Sequence, residues 1–176
     1  MKTDPDGGRG MKWLLVLLLA ISSVGGASEP RLPIAGPNQI AGTWRMVSAT
    51  LERDGQIDRP YGENPQGMLV FTPDMHFVEV LTNGDTPRFQ SDARGGGTDA
   101  ENRRAMASSI GFFGTYAVDK HGHFSGNRVE GSTFPNWVGS VRTEQQLQLK
   151  VEGERMYETF TRPDGGRVNI EFVRVR

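Results

Sequence analysis

Cysteine is absent from this 176-residue chain. Disulfides, thiolate nucleophiles and cysteine-ligated metals are therefore excluded, and so is a lipid attached through an N-terminal cysteine. An excess of one charge is lacking too: 20 Lys and Arg against 21 Asp and Glu leave a formal net charge of −1, with no basic stripe. Nucleic acid is a poor partner for such a chain, because holding its phosphates needs clustered positive charge. The chain has no hydrophobic run long enough to span a membrane. Its one candidate, Trp13 to Ile21, is shorter than the roughly 20 residues a spanning helix needs. No nucleophile elbow, H-E-x-x-H zinc pattern or phosphate-binding loop is present. Gly95-Gly96-Gly97 lacks the lysine and the strand–loop–helix setting of such a loop and reads as a flexible hinge.

What is present begins with an address. Lys12 precedes the apolar run Trp13 to Ile21, and the small residues Gly25, Gly26 and Ala27 follow. A charged start, a short apolar stretch and a small-residue cleavage site describe a secretory signal peptide. It is assigned to residues 1–27, with cleavage after Ala27 and Met11 as an alternative start. The expected location is outside the cytoplasm, periplasmic or secreted, with no membrane span after cleavage. Pro30, Pro33 and Pro37 make residues 28–39 an extended tether, since proline fixes φ and lacks an N–H. The fold is expected over residues 40–176.

From Ile40 onward, short segments rich in β-branched and aromatic residues alternate with turn signals. Strands are predicted over Gly42–Leu51, Gly67–Thr72, His76–Thr82, Phe112–Asp119, His123–Ser132, Val141–Lys150, Arg155–Thr161 and Arg167–Val175. Asp54-Gly55, Pro73-Asp74, Asn83-Gly84, Gly122, Gly153 and Gly165-Gly166 punctuate them. One helix is predicted over Thr98–Ile110, where Thr98 and Glu101 have the spacing of a capping box. In Val141–Lys150, Val141, Thr143, Leu147 and Leu149 share one face, which leaves Arg142 with polar neighbours on the solvent side. About eight antiparallel strands with tight turns tend to close into a barrel, which removes exposed edges.

The segment Ala41 to Ser48, AGTWRMVS, resembles the G-x-W signature that opens the first strand of lipocalins and their relatives. That resemblance implies an arginine late in the last strand packing over the tryptophan, and Arg174 stands in that place, so Gly42, Trp44 and Arg174 are read as structural. Pro60 to Asp74, Phe113 to Asp119 and Val129 to Gly139 also look like the bacterial and fungal lipocalin-like domain proteins. The Gly-rich stretch before the helix is longer than that resemblance would suggest. The family likeness implies an all-β, about eight-stranded antiparallel lipocalin-like barrel with one short helix and room for a small molecule. It implies little about chemistry.

Six residues are candidates for a binding site. His76 begins a strand, and histidine titrates near neutral pH. Tyr116 and Glu130 supply acid–base groups, and Glu130 and Arg142 are a candidate charge pair. Asn136 and Trp137 lie in a loop stiffened by Pro135, where Trp137 either covers the barrel mouth or plugs the core. Tyr61, Glu63 and Asn64 lie in a second Pro-flanked loop that either shapes the same mouth or makes a simple turn. His121 and His123 flank a glycine turn with no third ligand, so no metal is assigned, nor any cofactor or catalytic residue. Three readings stay open: a module binding a small apolar molecule, a cofactor-independent isomerase or cyclase using His76, Tyr116 and Glu130, and a plugged barrel filled by Phe112, Tyr116 and Phe172.

Overall fold

A computed structural model describes residues 37–176. The signal-like run and the tether up to residue 36 lie outside them. Ten strands and one helix follow in chain order: β1 Gly42–Arg53, β2 Gln56–Asp58, β3 Pro65–Phe71, β4 His76–Asn83, α1 Asp99–Ala107, β5 Ser109–Val118, β6 Phe124–Ser132, β7 Val141–Thr143, β8 Leu147–Glu152, β9 Arg155–Thr161 and β10 Arg167–Arg174.

The strands form one antiparallel sheet in the order β7-β6-β5-β4-β3-β1-β10-β9-β8, with β2 paired to β1. β1 carries the closure: it pairs with β3 on one side, Trp44 opposite Leu69, and with the C-terminal β10 on the other, Trp44 opposite Arg174. The two ends of the order, β7 and β8, are joined by the turn Glu144–Gln146 and have no ladder between them. The barrel is thus nearly closed, with one seam.

The expected fold class holds, and the strand count is ten rather than about eight. The difference has two local sources. Asp54-Gly55 makes a tight hairpin, both residues at positive φ, that adds the short β2. Val141–Lys150 is not one strand: a turn closed by Gln146 N–H donating to the Thr143 carbonyl splits it into β7 and β8. Alternation restarts after that turn. Leu147 and Leu149 point inward in β8, whereas in β7 Arg142 is partly buried and Val141 and Thr143 are exposed.

Alternation along the other strands fills the closed end. Trp44, Phe71, Phe77, Tyr116, Phe124, Met156 and Phe172 are all buried there. Phe71 meets Tyr116 edge-on with centroids 4.8 Å apart, a geometry aromatic pairs favour. The floor is sealed around Trp44. Its Nε1–H donates to the Ile40 carbonyl at 2.8 Å, and the Arg174 guanidinium stacks 4.0 Å from its ring while donating to the Ala41 and Gln39 carbonyls. Gly42 permits this approach: it has φ +131°, and a Cβ there would lie 2.6 Å from Arg174 Nη1.

Helix α1 crosses from β4 to β5 without a buried residue. Its capping box is formed, Thr98 Oγ1 accepting from Glu101 N–H and the Glu101 carboxylate from Thr98 N–H at 2.7 Å. The helix is therefore held by its ends and not by packing.

Candidate functional site

At the opposite end from Trp44 the barrel is open. A cleft of about 510 Å³ lies between the Pro135–Trp137 turn, the β7–β8 corner and the β9–β10 hairpin. Trp137, Phe160 and Pro163 give it apolar walls, glutamines and threonines supply neutral polar groups, and every charged residue lining it is an arginine: Arg142, Arg162 and Arg167. The cleft includes the outward-facing Gln148 and Thr159, so it reaches over the seam instead of running straight down the lumen.

Trp137 is held in place by its neighbours. Its ring meets Phe112 edge-on at 5.2 Å and Phe134 at 6.0 Å, and the loop is pinned by Gly139 N–H donating to the Val129 carbonyl. Arg142 reaches inward from β7 and lays its guanidinium 4.7 Å from the Trp137 ring and 5.1 Å from the Phe112 ring. Phe112, Phe77 and Phe71 continue this aromatic column down to the sealed floor.

Behind Arg142 lies a buried polar cluster. Glu79 on β4 and Glu158 on β9 are each 3% exposed. Both obey the strand alternation: Glu79 stands between Phe77 and Leu81, and Glu158 shares the face of Met156. Their carboxyls meet inside the barrel. Burial raises Glu79 well above the carboxylate range, and the adjacent Glu158 raises it further, against the pull of Arg142. Burial lifts Glu158 to about 7, opposed by the Arg142 charge and by a hydrogen bond from Glu79. Two buried acids facing one base do not readily both ionise, so the pair favours retaining a proton at neutral pH and titrates as a unit.

The cluster is not internally satisfied. Glu79 Oε1, Glu158 Oε2, Asn127 Oδ1 and Arg142 Nη2 are buried, and apart from the bond between the two carboxyls none has a hydrogen-bond partner. Buried polar groups are nearly always paired, so the hydrogen-bonding capacity left over in this compartment makes it a place that can receive polar atoms. Asn127 stands opposite Arg142 in the β6–β7 ladder, which brings the orphans together. Tyr61, from the loop before β3, closes the near side. Burial, then the charges of Glu79 and Glu158, push its hydroxyl pKa up.

The structure separates the six candidate residues. Trp137 and Arg142 line the cleft, and the expectation that Arg142 faces solvent is corrected, because the turn at Glu144–Gln146 reverses the phase of the alternation. Asn136 is exposed on the Pro135–Trp137 turn. Tyr116 belongs to the sealed floor, its hydroxyl donating to the Thr72 carbonyl at 2.7 Å and accepting from Asn38 at 2.6 Å. His76 is exposed beside Asp74, and Glu130 is exposed on β6, so neither pairs with Arg142 or enters the barrel. His76, Tyr116 and Glu130 therefore do not converge, and an acid–base reaction built on those three has no geometric basis. Glu63 faces solvent beside Arg59, and Asn64 binds the Asp85 carboxylate; neither lines the cleft. Phe112, Tyr116 and Phe172 do fill the closed half of the lumen, but not the rim. Glu79 and Glu158 were not among the sequence candidates.

The comparisons with known proteins bear on the fold. The sequence profile of the lipocalin-like domain family matches residues 41–166. The chain belongs to that family. Two solved β-barrels are similar to this lipocalin-like domain. One is a redesigned β-barrel, with a TM-score of 0.39, 16% identity, and coverage of 85% of this chain and 100% of its own. The other is a de novo designed fluorescence-activating β-barrel, with a TM-score of 0.37, 13% identity, and coverage of 78% and 94%. At such distances the likeness says nothing about function. No curated protein matches the chain. Among the described residues no helix is long and apolar enough to cross a membrane, and no group of three or more metal-ligating side chains is present.

Proposed function

We propose that this lipocalin-like barrel binds a small organic molecule in the cleft between Trp137, Arg142 and the β9–β10 hairpin. The observation that carries this reading is Arg142, which lines the aromatic-walled cleft and reaches from it to buried polar atoms with unfilled hydrogen-bonding capacity. A volume of about 510 Å³ suits a small ligand, and sites of this kind combine apolar walls with a few fixed polar groups. The three arginines make the site more polar than the largely apolar pocket expected of such a barrel. The closed half of the lumen is packed with aromatic side chains, so the ligand sits at the rim and seam and not at the barrel centre.

Two measurements test the reading together. Native mass spectrometry of protein purified gently from its own host is expected to show a bound small-molecule mass that is lost on denaturation. Nuclear magnetic resonance with a panel of small aromatic and aliphatic acids, amines and alcohols is expected to shift the Trp137 indole resonance. A bare protein mass combined with an unmoved Trp137 across the panel rejects the proposal.

We also infer that the barrel is exported, on the strength of the charged start, apolar run and small residues up to Ala27. N-terminal sequencing of the host-derived protein should begin at Ser28, and a protein that retains Met1 or Met11 contradicts the inference.

A further inference from the structure

The cleft has one sign of charge, and two buried carboxyls lie behind it. Arg142, Arg162 and Arg167 are its only charged lining residues, and no ion pair occupies any of them among the described residues. Three guanidinium groups around an aromatic wall, none of them in a close ion pair among the described residues, attract an anion, and the planar fork of arginine suits a carboxylate, sulfonate or phosphate. The orphans inside the barrel, however, are three oxygens and one nitrogen, Arg142 Nη2. A carboxylate oxygen only accepts hydrogen bonds, so an ionised Glu158 repels an anion lodged against Arg142. A protonated carboxyl donates one. The protonation of the pair therefore decides whether this compartment rejects or receives an anionic group.

We propose that the cleft takes a small organic anion with a flat apolar body, and that it takes the anion together with a proton: the acid group lies against Arg142, the body lies on Trp137, and the Glu79–Glu158 pair accepts the proton that makes it a donor to the ligand. This rests on the cleft being the binding site and specifies its ligand. The charge balance is the reason. Empty, the compartment balances one guanidinium with one carboxylate. When an anion approaches Arg142, protonation of Glu158 restores neutrality without expelling the guanidinium from its place between Phe112 and Trp137. The titratable groups that face Glu158 are Glu79 from β4, Arg142 from β7 and Tyr61 from the loop before β3, and Arg162, just past β9, faces Tyr61. The buried side chains that β1, β3, β6, β8 and β10 direct inward carry no charge, and those of β5 are Phe112 and the floor tyrosine Tyr116. The raised values of both carboxyls agree with this arrangement.

The test uses two fluorescent probes with closely related aromatic bodies. Anilinonaphthalene sulfonate is an anion, and phenylnaphthylamine is neutral. Both are titrated into the full folded barrel between about pH 5.5 and 8.5, with circular dichroism confirming the fold at each pH. The expected result is preference for the sulfonate, with its affinity falling towards tenfold per pH unit once the pair ionises, as uptake of one proton requires. Calorimetry in buffers of different ionisation heat should then show about one proton taken up per anion bound. The variant carrying both E79Q and E158Q, neutral at every pH, should flatten the profile, and R142M should abolish the preference for the anion. E130Q, on the outer face, should leave the profile of the parent protein unchanged. Equal, pH-independent binding of both probes overturns the anion proposal while leaving the cleft as the binding site. Binding of neither overturns both.

Discussion

Raising the pH from about 5 to about 8 should destabilise this barrel, which is the reverse of the behaviour expected from a protein held together by surface carboxylates. The magnitude follows from Glu158, which burial lifts from 4.5 to about 7. A carboxyl raised in the folded state contributes stability that is complete below its unfolded value. That contribution drains away as pH climbs from about 4.5 and is gone above about 7, because the folded state must release a proton the unfolded chain has already lost. At about 1.4 kcal/mol per pH unit, the gap amounts to on the order of 3 kcal/mol. That is about 10 °C in Tm for a domain of this size. Glu79, raised well above the carboxylate range, steepens the decline from the same starting point and carries it to higher pH. On the acid side the trend reverses. Asp85 is held low chiefly by its hydrogen bond from the Asn64 side chain, and Asp119 by the backbone N–H of His123, so their contributions are lost as pH falls through those depressed values. Urea or thermal unfolding should trace a maximum at about pH 4. Glu158→Gln mimics the neutral acid and should remove the share of the decline that Glu158 contributes, leaving the variant more stable than the parent above about pH 8. Superimposable profiles for parent and variant would refute the reasoning, as would stability rising steadily to pH 8.

Further outcomes test the rest of the molecule. Arg174→Ala removes a guanidinium stacked on Trp44 and two hydrogen bonds to backbone carbonyls, and should cost about 2–3 kcal/mol in urea unfolding. Gly42→Ala places a methyl 2.6 Å from Arg174 Nη1 at a positive φ, so it should destabilise the same floor by on the order of 2 kcal/mol. Thr98→Ala breaks the capping box, a change worth about 1 kcal/mol to a helix. Because α1 buries nothing, amide exchange in Asp99–Ala107 should accelerate while global unfolding hardly changes.

Much of the fold could be read locally. Alternation in His76–Thr82 and Arg167–Val175, the Asp54-Gly55 hairpin and the Thr98–Glu101 spacing each reflect short-range chemistry, and the barrel follows from having enough of them in series. The site was less legible. Trp137 drew notice because a tryptophan between Pro135 and Gly139 must be held by something, and Phe112, Phe134 and Arg142 hold it. Alternation across Val141–Lys150 puts Arg142 on the wrong face because the short turn at Glu144–Gln146 has no glycine or proline to mark it. Glu79 and Glu158 went unrecognised for a physical reason. A glutamate on a strand is ordinarily solvated, and its burial depends on which strands the closed barrel brings opposite it. A signal was nonetheless present: in Phe77-Val78-Glu79-Val80-Leu81 the glutamate takes the core phase between two residues that must be buried, and Glu158 does so between Met156 and Phe160.

The central claim is that the opening at Trp137 and Arg142 is where this barrel holds a small molecule. A crystal structure grown with anilinonaphthalene sulfonate at about pH 5.5 tests it most directly. The expected complex has the aromatic body on Trp137 and the sulfonate against Arg142, hydrogen-bonded to at least one of Glu79 Oε1, Glu158 Oε2, Asn127 Oδ1 and Arg142 Nη2. A probe bound on the outer face of the sheet, with the cleft empty and Arg142 unmoved, would contradict it.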